Sequence, residues 1–114
     1  MSHFETDAIR IQERSNQREH SSALYLSSSF VFESAEEARA MFAEEVQGNI
    51  YSRYSNPNSS DLIDKVCRAE GTEDGIATAS GMAAMFGSIA SLLQQGDHIL
   101  ASRSLFGSTH QLLT

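Results

Sequence analysis

Apolar positions recur at helical spacing in three stretches of the chain, with short runs of small and apolar residues between them. Ala35, Ala38, Met41, Phe42 and Val46 fall on one face of a helix. Ser34-Ala35-Glu36-Glu37 precedes that face as a capping box, a Ser with a Glu three residues on. Gly48-Asn49 should stop this helix. A second helix is expected after Asn58, which can cap it, with Asp61 in the first turn where the helix dipole favours a carboxylate. Leu62, Val66 and Ala69 then line one face, and Gly71 ends the helix. The third pattern is the strongest. Met82, Met85, Phe86, Ile89, Leu92 and Leu93 follow Ser80-Gly81, and Gln95-Gly96-Asp97 gives a stop and a turn.

Two stretches read as strands, and a third looks extended. Residues 24–32 are aromatic and β-branched, although serines break strict alternation. Residues 74–79 and 98–102 are short runs suited to burial in a sheet, and Phe106-Gly107-Ser108-Thr109 opens a further helix. Residues 58–114 therefore alternate helix, strand, helix, strand, helix start, the opening of an α/β fold with a parallel sheet. Two central-type strands do not make a parallel sheet covered on both faces, so a longer protein is expected. Residues 1–23 are polar, and Arg10, Arg14 and Arg18, four apart, suit a solvated helix face.

Composition narrows the picture without changing it. The chain has 114 residues, 40 % hydrophobic and 20 % charged, which is ordinary for one globular domain. Its net charge is −7, spread over both halves, which argues against nucleic acid or an anionic membrane as partner. No window approaches the roughly 18 apolar residues of a membrane span. The amino terminus lacks the basic and apolar regions of a signal peptide. With a single cysteine, Cys67, no internal disulfide can form, and a cytoplasmic location is expected. Cys67 sits among helical residues and reads as a small core hydrophobe rather than a nucleophile. The four histidines are scattered, so no metal site is expected.

Candidate chemistry lies at three places. Tyr51-Ser52-Arg53-Tyr54-Ser55-Asn56-Pro57-Asn58 surrounds the only proline and has no amphipathic period. Arg grips phosphate or carboxylate through paired charge-assisted hydrogen bonds, and a Tyr hydroxyl can add a donor. On these eight residues alone, a solvated turn fits equally well. Ala79-Ser80-Gly81-Met82-Ala83-Ala84 stands where a strand gives way to a helix. The first amides of a helix lack internal partners and attract anions, and Gly81 lets a ligand approach closely; a plain strand-to-helix turn is the alternative. Phe106 opens the last helix and could lie over a flat ligand or fill a core. Neither G-x-G-x-x-G nor a P-loop is present, and the only lysine, Lys65, is mid-helix.

Taken in order, these pieces resemble the Cys/Met-metabolism family of pyridoxal-phosphate (PLP) enzymes. The resemblance runs from about Leu24 to Thr114. It rests on Ser29-Phe30-Val31-Phe32, Tyr51-Ser52-Arg53, Asn56-Pro57, Glu70-Gly71, Ala79-Ser80-Gly81-Met82-Ala83-Ala84, Gly96-Asp97 and Phe106-Gly107-Ser108-Thr109. It implies an N-terminal arm over 1–57 that contacts a neighbouring subunit. It also implies, over 58–114, the beginning of the large domain of a fold type I, aspartate-aminotransferase-like transferase. Tyr51 and Arg53 would bind the PLP phosphate of the neighbouring subunit, and Tyr51 would also assist proton transfer near the substrate amine. The N–H groups of Gly81 and Met82 would hold the phosphate of the subunit's own PLP. Phe106 falls where the family usually has a Tyr stacked on the pyridine ring, so stacking is kept and the hydroxyl lost. Asn58 replaces the usual Thr, and Ile63 stands where a Glu is frequent.

Within the family, residues 51–57 and 102–109 are most similar to the sulfhydrylases that join O-succinylhomoserine to sulfide. That implies homocysteine formation for methionine biosynthesis, by a homo-oligomer arranged as a dimer of dimers with shared sites. Transsulfuration or γ-elimination on a related amino-acid substrate is the alternative within the family. The family's Schiff-base lysine lies further along the chain than Thr114, which implies an N-terminal fragment, inactive by itself. A non-catalytic subunit-interaction fragment is the reading from another class. Poor stability is expected if Met82, Phe86, Ile89, Ile99 and Leu100 lack partners.

Overall fold

The structure, a computed structural model, describes residues 3–10 and 18–114. They form two compact units, Met1–Ile76 and Ala77–Thr114. The first holds α1 (Phe4–Arg10), α2 (Ala35–Phe42) and α3 (Pro57–Glu70), and the second α4 (Gly81–Ala90) and α5 (Gly107–Leu112). Of the arginine series expected on one helix face, Arg14 lies outside the described residues. Arg18 is not helical; its φ of 56° is left-handed.

Helix α2 begins at its predicted Ser34 cap, although the Glu37 carboxylate reaches back to the Glu33 amide and not to that of Ser34, as a full capping box would. The Glu37 amide donates to Ser34 Oγ at 3.1 Å, and the Glu37 carboxylate accepts from the Glu33 amide at 2.5 Å. The helix ends four residues before Val46, because Glu44 turns left-handed at φ 58°. The Glu44 amide then donates to Met41 O at 3.1 Å and the Glu45 amide to Ala40 O at 2.9 Å. These two bonds make a Schellman motif, with Glu where Gly is usual. Arg39 fastens the same corner, donating to Glu45 through both terminal nitrogens at 3.0 and 2.8 Å and to Glu36 through Nε at 2.9 Å.

Helix α3 corrects two expectations. Its N-cap is Asn56, not Asn58, because Pro57 occupies the first helical position, where its fixed φ fits and its missing N–H costs nothing. Asp61 therefore lies beyond the first turn, and it is buried. The expected Leu62–Val66–Ala69 face is exposed. The half-buried stripe is Ile63 and Cys67, which face Gly75. Two apolar stripes coexist on this helix, and periodicity does not say which one packs. Gly71 ends the helix in the left-handed region at φ 70°, as its position predicts.

The strands expected at 74–79 and 98–102 do not pair, and the extended stretch 24–32 makes a single bridge. Among the described residues the only bridge is antiparallel, between Ser29 and Tyr51. Residues 74–79 and 98–102 carry no ladder, since a strand exists only where a neighbouring segment accepts its backbone bonds. Leu100 is fully exposed. Helix α4 stops at Ala90, so Leu92 and Leu93 lie beyond it, ahead of a turn closed by the Asp97 amide on Gln94 O at 3.0 Å.

Among the described residues no hydrophobic side chain is buried. The chain exposes 9819 Å², against about 6,200 Å² for a self-contained folded protein of this mass. Met82, Phe86, Ile99 and Leu100 are exposed as expected, while Ile89 is half-buried.

Candidate functional site

The segment bearing Tyr51 and Arg53 is held from both ends by backbone. Phe30 N donates to Ile50 O at 3.1 Å and Ser52 N to Ser28 O at 2.9 Å. The chain then turns tightly, with the amides of Tyr54 and Ser55 donating to Tyr51 O at 2.8 and 3.1 Å. Asn56 locks the far side. Its Nδ2 donates to Tyr25 O and to Ser52 Oγ, both at 3.0 Å, while its Oδ1 accepts from the Asn58 amide at 2.9 Å. Asn58 adds two bonds to the same neighbouring segment. Its Oδ1 accepts from Tyr25 N at 2.8 Å, and its Nδ2 donates to Ala23 O at 2.6 Å. Ser52 Oγ also donates to Ser27 O. Asn56 is only 8 % exposed, and all of its side-chain polar atoms are used.

This frame presents Arg53 to solvent. Its Cζ lies over the Tyr51 ring and over the Tyr54 ring, 5.2 Å from each centroid. The ion pairs among the described residues belong to Arg39, and none neutralises Arg53. Its in-plane donors therefore remain available for an anion. Beside it, Met41, Phe42, Ile50 and Tyr54 help to line an open recess of about 540 Å³. The ring of Tyr54 and the amide of Asn56 were missed in the sequence. The signals were present: an aromatic residue adjoining the Arg, and an Asn-Pro pair, which marks a helix start.

In the second unit, Ser80 caps α4, its Oγ accepting from the Ala83 amide at 3.2 Å. Thr78 Oγ1 donates to Ser80 O at 2.8 Å and fixes the approach to the helix. The amides of Gly81 and Met82 precede the first intrahelical bond, that of Ala84 to Ser80 O, and donate to no acceptor in the described residues. Apart from its chain neighbours and the helix's own backbone, no heavy atom stands within 4 Å of the place a Cβ on Gly81 would take, so this helix end is open. Phe106 is the N-cap of α5, makes no side-chain cap bond and is 76 % exposed, so it fills no core here. The structure thus brings Tyr51 and Arg53 together in the first unit. It places Gly81, Met82 and Phe106 in the second. Among the described residues no three His, Cys, Asp or Glu side chains gather as metal ligands, and no helix is long and apolar enough to cross a membrane.

Residues 5–114 match the family model of the Cys/Met metabolism PLP-dependent enzymes. The chain belongs to this family. Among its Cys/Met-metabolism relatives is the O-succinylhomoserine sulfhydrylase of Pseudomonas aeruginosa, 48 % identical over 96 % of this chain and 27 % of the relative. The L-methionine γ-lyase of Fusobacterium nucleatum is 39 % identical over 79 % of this chain and 23 % of its own. A Campylobacter jejuni crystal structure assigned as an O-acetylhomoserine (thiol)-lyase, carrying a pyridoxyl-lysine phosphate, superposes with a TM-score of 0.92 at 36 % identity. It covers all of this chain and 28 % of its own. The chain thus spans about a quarter of the length of the relatives it matches.

The residues present fit the phosphate end of the family's cofactor. An unneutralised guanidinium, a Tyr beside it, and two unbonded amides at an open helix start are donors that a phosphate accepts. Lys65, the chain's one lysine, lies mid-way along α3.

Proposed function

We propose that the chain is the N-terminal part of a PLP-dependent γ-replacement enzyme that makes homocysteine from O-succinylhomoserine and sulfide. The observation that carries the reading is the 48 % identity to the Pseudomonas sulfhydrylase over nearly the whole chain. PLP, when bound, supplies the electron sink for bond changes at the α- and β-carbons of the substrate. Arg53 and the Tyr51 hydroxyl grip the phosphate of the neighbouring subunit's cofactor. The amides of Gly81 and Met82 hold the phosphate of the subunit's own. Tyr51 moves a proton near the substrate amine. Phe106 would offer its ring for stacking on the cofactor and, lacking a hydroxyl, would neither give nor take a proton. Residues 1–57 act as the arm towards the neighbouring subunit, and 58–114 begin the PLP-binding domain of a fold type I transferase. A cytoplasmic homotetramer with shared sites follows from the same reading.

The test is product analysis on the complete protein supplied with O-succinylhomoserine. Homocysteine from sulfide supports the proposal. Cystathionine from cysteine, with no reaction of sulfide, would replace it with transsulfuration. Breakdown of methionine to a 2-oxo acid would favour the lyase reading that the Fusobacterium relative supports. The Campylobacter structure supports a second acyl group, and O-acetylhomoserine belongs in the same assay.

A further inference from the structure

The Tyr54 ring makes a contact that the phosphate grip leaves unexplained. It is 75 % exposed, so burial does not account for an aromatic residue there, yet the Arg53 Cζ lies over it at 5.2 Å. The Tyr51 ring is met at the same distance. A free Arg side chain samples many rotamers, and ordering it opposes binding. An aromatic face attracts the flat face of a guanidinium and leaves the N–H groups, which lie in its plane, pointing outward. A carboxylate partner would order Arg53 too, but would occupy those donors and cancel the charge. Two rings order the cation without consuming it. The backbone fixes where Tyr54 stands, since its own amide is bonded to Tyr51 O at 2.8 Å.

We infer that Tyr54 is a positioning residue. Its ring, not its hydroxyl, pre-orders Arg53 for a phosphate monoester, and so raises affinity for the phosphorylated cofactor over its unphosphorylated form. The inference rests on the reading of Arg53 as a phosphate ligand given above.

The experiment is an absorbance titration of the cofactor-free complete protein with pyridoxal 5′-phosphate and, separately, with pyridoxal. Tyr54→Phe is expected to bind both like the parent. Tyr54→Leu keeps bulk without a π face, and is expected to bind the phosphate ester about two- to five-fold more weakly, the worth of an exposed cation–π contact. Its pyridoxal affinity should not change. The inference is overturned if Tyr54→Leu binds the phosphate ester like the parent, if Tyr54→Phe is as weak as Tyr54→Leu, or if pyridoxal affinity falls in parallel. Arg53→Gln separates the two levels. If it lowers phosphate-ester affinity while the Tyr54 variants do not, only the role of Tyr54 fails. If it changes nothing, the phosphate reading fails and the inference with it.

Discussion

Asn56 Nδ2 lies 3.0 Å from the carbonyl oxygen of Tyr25, a bond made across 31 residues of sequence. The same side chain caps α3 and donates to Ser52. One buried amide thus ties the turn that bears Tyr51 and Arg53 to a helix start and to a distant segment.

Asn56→Ala should therefore cost about 2–3 kcal/mol, the loss of a cap together with a buried carbonyl left without its donor. Asn56→Ser restores a capping oxygen but cannot reach Tyr25, and should recover about 1 kcal/mol of that. Urea midpoints of the complete protein and its two variants would show the graded order.

Glu44 occupies the left-handed C′ position of the Schellman motif that closes α2. Glu44→Gly should raise stability by about 0.5–1 kcal/mol, because Gly adopts this conformation without strain. Gly71→Ala, at the equivalent end of α3, should lower stability by about 1 kcal/mol. Thermal melts of the two variants should shift in opposite directions.

The hydrogen bonds from Arg39 hold the Glu45 carboxylate below its usual pKa, and Glu45 and then Glu36 raise that of Arg39. A carboxyl depressed on folding stabilises above its unfolded pKa, and loses that contribution as pH falls through the folded value. The corner after α2 should thus loosen as acid is added below the ordinary carboxylate range, and Glu45→Gln should abolish that part of the response. The pair is exposed, so the effect should be small and should fade with added salt. Side-chain NMR titration of Glu45 at low and high salt would measure it.

If Arg53 serves a neighbouring subunit's cofactor while Gly81 serves its own, the two defects should complement. Arg53→Gln removes one phosphate ligand. Gly81→Asp sets a carboxylate where phosphate would sit, at a helix position that tolerates it. Neither variant alone should hold PLP well. Mixed one to one and allowed to exchange subunits freely, they should regain about a quarter of the parental cofactor content, since half of the dimers are hybrids and one of the two sites in each hybrid is intact. No recovery would place both groups in one subunit's site.

The residues that start helices were legible because capping is local chemistry. Ser34 accepts from an amide three residues on, as its position requires, and Ser80, which in the sequence marks only a break before a helix, does the same. Gly71 was legible as a left-handed stop for the same reason. Asn58 was misread as the cap although Pro57 marked the boundary one residue earlier. The strand assignments at 74–79 and 98–102 failed to become a sheet here because pairing belongs to two segments at once, and composition describes only one. The Ile63–Cys67 stripe was missed because α3 carries apolar residues on more than one side, and Gly75 decides which side is covered. Residue type offered Tyr51 and Arg53 as candidates with a solvated turn as an equal alternative, and the family resemblance gave them their expected roles. Their mutual stacking, and the part of Tyr54 in it, depend on a turn whose bonds the sequence does not display.

The lacing of residues 23–30 to 50–58 also has a kinetic side. The amides of Tyr25, Phe30 and Ser52 are bonded to Asn58, Ile50 and Ser28, partners on the opposite stretch. The Phe30 and Ser52 amides, bonded to backbone oxygens, cannot open to solvent without separating the two stretches. Their deuterium uptake should therefore rise together, with one opening rate, and on the proposed reading a PLP phosphate at Arg53 should slow both at once.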